Sequence, residues 1–167
     1  MIMKTLYLDY SKCIGCGTCE AVCKFIYRTP RIIMTRTSYG LHVPLYCQHC
    51  DNPKCMRVCI RKAIFQDDQG VVRLREEVCR TCDSKNCLMA CPYVAMMCTG
   101  GDNPVTKCDM CVTRAGLGPA CAAMCPCDAL HYVDRTEMAS LETEASQKAY
   151  ERVRKYIICP DCSAPAL

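Results

Sequence analysis

Cysteine is the residue type in this chain whose number and spacing indicate chemistry. It supplies 20 of the 167 residues, above the share that marks a cysteine-built scaffold. Sixteen of them form four groups, each with the pattern C-x2-C, a variable gap and C-x3-C, which is an internal repeat. The groups are Cys13, Cys16, Cys19 and Cys23; Cys47, Cys50, Cys55 and Cys59; Cys79, Cys82, Cys87 and Cys91; and Cys108, Cys111, Cys121 and Cys125.

Three kinds of site use closely spaced cysteines: disulfides, zinc and iron–sulfur clusters. Zinc sites take two C-x2-C pairs separated by a dozen or more residues, with no need of a nearby third and fourth cysteine. In ferredoxins with two clusters, three cysteines of a tight loop bind one cubane and the fourth crosses to its neighbour. The first group has this spacing, and Pro92 and Pro126 follow the last cysteines of groups three and four, as in ferredoxins. The pattern predicts four [4Fe-4S] clusters.

Several residues near the groups have no assigned part in this pattern. We interpret four cysteines as spare thiols, although Cys127 competes with Cys125 as a ligand and the C-x2-C pair at 159–162 could bind a metal or change redox state. No group needs a histidine ligand. Four cations lie beside ligand cysteines, and each is either an ordinary solvated charge or one that raises a cluster potential. The spare thiols are Cys98, Cys127, Cys159 and Cys162; the histidines are His42, His49 and His131; the cations are Lys24, Arg61, Arg80 and Lys107.

The charge and the motifs exclude several classes of function. The formal net charge is +4, but sixteen thiolates around four oxidised cubane cores would bring it to about −4. Since Lys and Arg are scattered, we expect no nucleic-acid partner. There is no dinucleotide fingerprint, nucleotide-binding loop or radical-enzyme cysteine triplet. The N-terminus does not resemble a signal peptide and no run is long enough to span a membrane, so we expect a cytoplasmic protein.

The segments between the groups predict an α+β fold. Residues 31–46 and 63–74 each read as two short β-type runs around a turn, which is typical of a hairpin. The alternating segments 6–12 and 129–135 should pair as strands. After Asp134, apolar residues at helical spacing predict one helix, whose start Asp134 and Glu137 could cap. Its apolar face should pack on the cluster region or on a partner.

From about residue 4 to 135 the chain resembles the four-cluster ferredoxin-type electron-transfer subunits of molybdenum and tungsten oxidoreductases. The segments SKCIGCGTCEAVCK, YCQHCDNPKCMRVC, CLMACPYVAM and TKCDMC with PACAAMCPCDAL carry the likeness. The resemblance implies tandem bacterial ferredoxin-like modules in 1–135, an outer one from groups one and four and an inner one, 47–91, from groups two and three. Residues 136–167 would form the C-terminal helix and tail. In its small size the chain is most similar to the iron–sulfur subunit of tungsten aldehyde oxidoreductases.

The same resemblance implies which cysteines share a cluster. Groups one and four would exchange their last cysteines, and so would groups two and three. The four-residue gap between Cys82 and Cys87 departs from the two residues of many relatives. Cluster one takes Cys13, Cys16, Cys19 and Cys125; cluster two takes Cys108, Cys111, Cys121 and Cys23; cluster three takes Cys47, Cys50, Cys55 and Cys91; cluster four takes Cys79, Cys82, Cys87 and Cys59.

The function implied by the resemblance is electron transfer without substrate chemistry. Four clusters would pass single electrons between a large molybdenum- or tungsten-pterin catalytic subunit, with aldehyde oxidation as one candidate reaction, and a flavoprotein subunit or ferredoxin. Copies could also associate into a longer relay. A relay subunit of a hydrogenase or carbon monoxide dehydrogenase is an alternative. Two other classes stay open: a cluster-based reductase with one open iron in group three or four, and a zinc-bound interaction module.

Overall fold

A computed structural model describes residues 4–37, 40–112, 114 and 116–157. The elements in these residues are short, and no helix among them is both long and apolar enough to cross a membrane. The strands are β1 (Lys4–Leu8), β2 (Ile32–Arg36), β3 (His42–Tyr46), β4 (Ile64–Gln66), β5 (Val72–Leu74) and β6 (Leu130–Asp134). The helices are α1 (Thr18–Tyr27), α2 (Lys54–Arg57), α3 (Glu76–Arg80), α4 (Cys87–Ala90), α5 (Ala120–Ala123), a 3-10 turn (Arg135–Glu137), α6 (Met138–Leu141) and α7 (Glu144–Ile157).

The strands at the two ends of the cysteine-rich region pair with each other. β1 and β6 run antiparallel over five residue pairs, which confirms the pairing expected from their alternating sequences. β1 ends at Leu8, however, and does not continue to residue 12. The Asp9 carboxylate ends it, because this carboxylate accepts hydrogen bonds from the backbone N–H and the hydroxyl of Ser11 at 2.9 and 2.5 Å.

The two predicted hairpins are confirmed. β2 pairs antiparallel with β3, and β4 with β5. In the second hairpin the Asp67 carboxylate organises the turn by accepting hydrogen bonds from the backbone N–H groups of Gln69 and Val71 at 3.0 and 2.8 Å. Gly70 follows with a φ of 75°, a conformation that glycine adopts without strain. Each hairpin joins two successive cysteine groups.

The core has two parts, and cysteine side chains belong to both. The sequence has no Trp and only two Phe, so aliphatic residues, Tyr and the cysteines themselves supply the buried surface. The assignment of residues 1–135 to an outer and an inner module stays a prediction. The first part contains Leu6, Leu8, Ile32, Tyr46 and Leu130 with Cys23, Cys47, Cys108 and Cys121; the second contains Ala63, Ile64, Val72, Met96 and Val105 with Cys79 and Cys87.

The prediction of one continuous helix after Asp134 is wrong. The 3-10 turn and α6 come first, and α7 begins separately after extended backbone at Glu142. Asp134 makes no side-chain cap bond. Thr143 caps α7 instead, because its hydroxyl accepts a hydrogen bond from the backbone N–H of Ser146 at 3.1 Å. A capping side chain in the middle of an apolar-periodic segment therefore divides it into two helices.

Helix α7 packs on the cysteine-rich region, which is one of the two positions expected for it. Ser146 is buried, and its hydroxyl lies 2.8 Å from the hydroxyl of Tyr7 on β1. One turn further along α7, the ring of Tyr150 lies 5.8 Å from that of Tyr10. Val153 is buried as well. The contact face thus contains Ser146, Tyr150 and Val153. Ala145, one of the apolar residues whose helical spacing predicted the helix, is exposed instead.

Candidate metal centres

The four cysteine groups have the same local structure around their third cysteine. In every group this residue is the first or second residue of a helix, where the chain leaves the C-x2-C loop. A helix start fixes the direction of the side chain and exposes backbone N–H groups that lack intrahelical partners. The third cysteines are Cys19 in α1, Cys55 in α2, Cys87 in α4 and Cys121 in α5.

One pocket is lined by the four cysteines predicted for the fourth cluster. Cys79, Cys82 and Cys87 come from group three, and Cys59 comes from group two. Thiolates are the ligands that iron–sulfur clusters take in proteins, so the donor set of this pocket fits such a cluster. The geometry brings together cysteines from two groups that are separate in sequence.

The loop of the unusual gap in group three lies at the mouth of this pocket. The backbone N–H groups of Lys85 and Ser84 and the Ser84 hydroxyl surround the Cys82 sulfur and lower the pKa of its thiol. The Lys85 ammonium donates a hydrogen bond to the Cys82 carbonyl at 2.8 Å. The two additional residues therefore form a closed loop between Cys82 and Cys87, and both thiols still line one pocket.

A second pocket repeats this arrangement with groups one and four. Cys108, Cys111 and Cys121 of group four line it together with Cys23 of group one. These are the cysteines predicted for the second cluster. All four thiols are buried. Burial raises the pKa of Cys121 to about 12, and the neighbouring thiols Cys111 and Cys23 add to the rise. Bound metal would keep these buried thiols deprotonated.

The other two predicted sets are also close in space. Burial raises the pKa of Cys19 to about 11, with added contributions from Cys13, Cys16 and Cys125. Burial likewise raises the pKa of Cys55 to about 12, and its thiol neighbours are Cys47, Cys91 and Cys50. Among the described residues, no group of three or more His, Cys, Asp or Glu side chains is arranged to hold a single metal ion. The assignment of the sixteen ligands stays a prediction, and the structure brings each set of four together.

Backbone N–H groups donate hydrogen bonds to the last cysteine of every group. In groups two, three and four the donor is an alanine four residues later: Ala63 to Cys59 at 3.2 Å, Ala95 to Cys91 at 3.5 Å and Ala129 to Cys125 at 3.4 Å. In group one α1 continues past Cys23, and Arg31 donates at 3.1 Å. These backbone donors were not predicted, although the spacing C-x3-A in three groups indicates them. Such hydrogen bonds stabilise a thiolate and raise cluster potentials.

The spare cysteines differ in their positions. Cys127 lies close to the first predicted set, with its sulfur 3.8 Å from that of Cys125. Burial tends to raise the pKa of Cys125, but the backbone donors from Ala129 and Leu130 outweigh it and lower the pKa. The Cys98 sulfur lies 3.7 Å from the Asn103 carbonyl and lines neither thiol pocket. The predictions for Cys159 and Cys162 lie outside the described residues.

Two polar side chains next to predicted ligands are buried against β5. His49 lies between Cys47 and Cys50, and its Nδ1 accepts a hydrogen bond from the Val72 N–H at 3.1 Å. The Lys107 ammonium donates to the carbonyls of Val72 and Cys108, the latter at 2.7 Å. Burial and nearby cations, Lys107 first among them, lower the pKa of His49. No pattern in the sequence indicates that these two residues are buried at one strand.

Comparison with known proteins identifies iron–sulfur domains in the chain. The family model for a 4Fe-4S dicluster domain matches residues 38–135, and that for a 4Fe-4S binding domain matches residues 6–25. The chain is 34% identical over 167 residues to electron transport protein HydN of Escherichia coli (strain K12), covering 84% of this chain and 93% of the relative. It is 33% identical over 147 residues to the probable anaerobic dimethyl sulfoxide reductase chain YnfG of the same strain, with 75% and 71% covered. It is 31% identical over 160 residues to the thiosulfate reductase electron transfer subunit PhsB of Salmonella typhi, with 86% and 82% covered.

Proposed function

The chain belongs to the 4Fe-4S dicluster-domain family, and from that premise we propose that it relays single electrons through four [4Fe-4S] clusters between a catalytic subunit and a second redox partner. The observation that carries the proposal is the pair of pockets lined by four cysteine thiols each. A bound cluster supplies a one-electron carrier. The protein supplies the thiolate ligands, hydrogen bonds to their sulfurs and a buried environment, all of which set the potential.

We assign the sixteen ligands as the sequence predicts. The pockets support the second and fourth sets, because each contains one cysteine that crosses from another group. For the first and third sets the support is the mutual proximity of their thiols. Since each set has four thiolates, no iron is left open for a substrate, and the chain acts as a non-catalytic subunit.

The order of the clusters along the relay follows from which thiols lie close to those of another set. Cys19 of the first set lies close enough to Cys121 of the second set to raise the pKa of its thiol. Cys47 of the third set is likewise a neighbour of Cys108 in the second. Groups two and three exchange their last cysteines, which connects the third and fourth sets. The proposed path therefore runs from cluster one through two and three to cluster four.

The proposed catalytic partner is a large molybdenum- or tungsten-pterin subunit. Support comes from the names of two relatives, a dimethyl sulfoxide reductase chain and a thiosulfate reductase electron transfer subunit. Aldehyde oxidation stays the candidate reaction, because the family that the chain resembles includes the iron–sulfur subunits of tungsten aldehyde oxidoreductases. A second candidate function is that of a relay subunit of a hydrogenase or carbon monoxide dehydrogenase, and the relative named as an electron transport protein supports electron transfer in general.

Exposed apolar side chains at both ends of the proposed path support docking of two partners. Phe25 on α1, the helix that carries Cys19 and Cys23, is 91% exposed. Met89 on α4, which begins with Cys87, is 92% exposed. Apolar patches, unlike single exposed residues, favour association with another protein, and Ile14 beside Cys13 and Ile60 beside Cys59 are exposed as well. We assign one end to the catalytic subunit and the other to a flavoprotein subunit, a ferredoxin or a second copy of this chain.

We also propose a cytoplasmic location. None of the eighteen cysteines in the described residues forms a disulfide, and thiols in this number persist in a reducing compartment.

The test is anaerobic affinity purification from the native organism, with iron, molybdenum and tungsten quantified in the bound complex. We expect molybdenum or tungsten in a large subunit that co-purifies with the chain. Nickel or a flavoprotein without either metal would favour the second candidate. A chain that purifies with zinc and without iron would refute the relay. A complex that stays 1:1 with the catalytic subunit at all concentrations would refute self-association.

A further inference from the structure

Lys107 differs from the other cations that lie next to predicted ligands. It is only 3% exposed, whereas Lys24, Arg61 and Arg80 are exposed to solvent. Its ammonium donates to two backbone carbonyls, those of Val72 on β5 and of Cys108 in the second thiol set. A side chain that is normally solvated is therefore held inside the protein, at the point where the β4–β5 hairpin meets group four.

A buried ammonium is costly unless a negative charge compensates it. In the described part of the chain, no ion pair joins Lys107 to an Asp or Glu carboxylate. Carbonyl oxygens satisfy hydrogen bonds but carry no full charge. A charged Lys107 therefore needs a negative charge from another kind of group, and cysteine thiolates are the candidates nearby.

The hydrogen bonds of Lys107 connect it to two different thiol sets. Its ammonium donates to the carbonyl of Cys108, which belongs to the second set. It also donates to the carbonyl of Val72, whose N–H donates to His49 between Cys47 and Cys50 of the third set. The ammonium therefore lies between the second and third thiol sets, where the proposed path passes from cluster two to cluster three.

We propose that Lys107 is the counter-charge of clusters two and three and raises the reduction potentials of both, acting through space without a bond to iron. The inference rests on the proposed function. An oxidised cubane with four thiolates carries a net charge of about −2, and reduction adds one more negative charge. A fixed cation stabilises the reduced state more than the oxidised state. Because the site is buried, salt screens this interaction little.

A purely structural role makes a different prediction. Lys107 connects β5 to group four through its two hydrogen bonds, and His49 holds the N–H of the same Val72. A neutral glutamine amide has two N–H groups that could donate to the same carbonyls. Lys107→Gln therefore removes the charge and keeps donors, whereas Lys107→Arg keeps both. If the bonds alone matter, the two variants should behave alike.

The test is a reductive titration of the complete, cluster-loaded chain followed by electron paramagnetic resonance, with iron counted beforehand. We expect Lys107→Gln to shift two of the four potentials to more negative values, at low and at 1 M salt, and Lys107→Arg to leave all four near those of the unaltered protein. Lys24→Gln is the matched control, because Lys24 follows Cys23 of the second set but is exposed. Any shift in this control should disappear at high salt.

Each outcome decides between the two roles. Failure of the glutamine variant alone to hold iron would also support the need for the charge. Four unshifted potentials in a loaded glutamine variant, equal shifts of all four, or failure of both variants to hold iron would overturn the inference. If the proposed function itself is wrong, the unaltered chain will not bind four clusters. That result is therefore distinct from a failure of the inference about Lys107.

Discussion

Cys59 and Cys87 line the same pocket, although they belong to different cysteine groups. Cys59 is the last cysteine of its group, and its sulfur accepts a hydrogen bond from the backbone N–H of Ala63. The crossing of this side chain connects groups two and three into one unit. Cys23 makes the corresponding crossing into the pocket of group four.

Substitution of Cys59 should remove the cluster of group three. We expect Cys59→Ser to lose about four iron atoms per chain and the same paramagnetic signal that Cys79→Ser loses, because both residues line that pocket. Cys55→Ser should remove a different signal. Cys98→Ser is the control and should keep all the iron. If Cys59→Ser and Cys55→Ser remove the same signal, the crossing is wrong.

The pair Cys125 and Cys127 should show unequal but related effects. We expect Cys127→Ala to keep all four clusters, because Cys125 has the backbone donors that stabilise a bound thiolate. Cys125→Ala should keep part of the first cluster, since the Cys127 sulfur lies 3.8 Å from the position of the lost ligand. The double variant should lose this cluster. Loss of iron in Cys127→Ala alone would identify Cys127 as the ligand.

The hydrogen bond between Tyr7 and Ser146 should hold α7 against β1. Ser146→Ala leaves the hydroxyl of the buried Tyr7 without this partner, at a cost of about 1 kcal/mol or more. Amide hydrogen exchange in α7 should then be roughly fivefold faster or more, if α7 opens locally. Ser140→Ala on the exposed side of α6 is the control. Unchanged exchange in Ser146→Ala would show that this bond does not hold the helix.

Retention of iron should fall as the pH is lowered from 8 to 6. Burial raises the pKa of Cys55 and Cys121 to about 12 and that of Cys87 to about 11. Metal must displace the protons of these thiols, so protons compete with iron more strongly at lower pH. The measurement is iron loss to a fixed concentration of chelator. Chelators themselves bind more weakly at low pH, so greater retention at pH 6 than at pH 8, after correction for this effect, would contradict the expectation.

Features with local signals were predictable from the sequence. The cysteine spacing led to the four groups, and the family resemblance implied how they share ligands. Alternating residues around Gly70 and near both ends led to the hairpins and the β1–β6 pair. Thr143 also carried a local signal, since it is a capping residue, but the apolar periodicity on both sides of it favoured a single helix. The spacing from Cys59 to Ala63 was likewise visible and is repeated in two other groups.

The burial of Lys107 and His49 was not predictable in this way. Both side chains are held by Val72. His49, within group two, accepts a hydrogen bond from its N–H, and Lys107, next to group four, donates to its carbonyl. Contacts between segments distant in sequence leave no periodic pattern. Lys107 looks like Lys24 in the sequence, because each lies next to a cysteine, yet only Lys107 is buried. Tertiary structure alone separates a solvated charge from a buried one.

The central claim is that four clusters with complete thiolate ligation act as a one-electron relay. Its most direct test is iron and acid-labile sulfide per chain, followed by reductive titration of the same anaerobic sample. We expect about sixteen iron and sixteen sulfide atoms per chain and an uptake of about four electrons, with loss of the brown colour on reduction. A colourless zinc protein, or one that holds only about eight irons after full reconstitution, would contradict it.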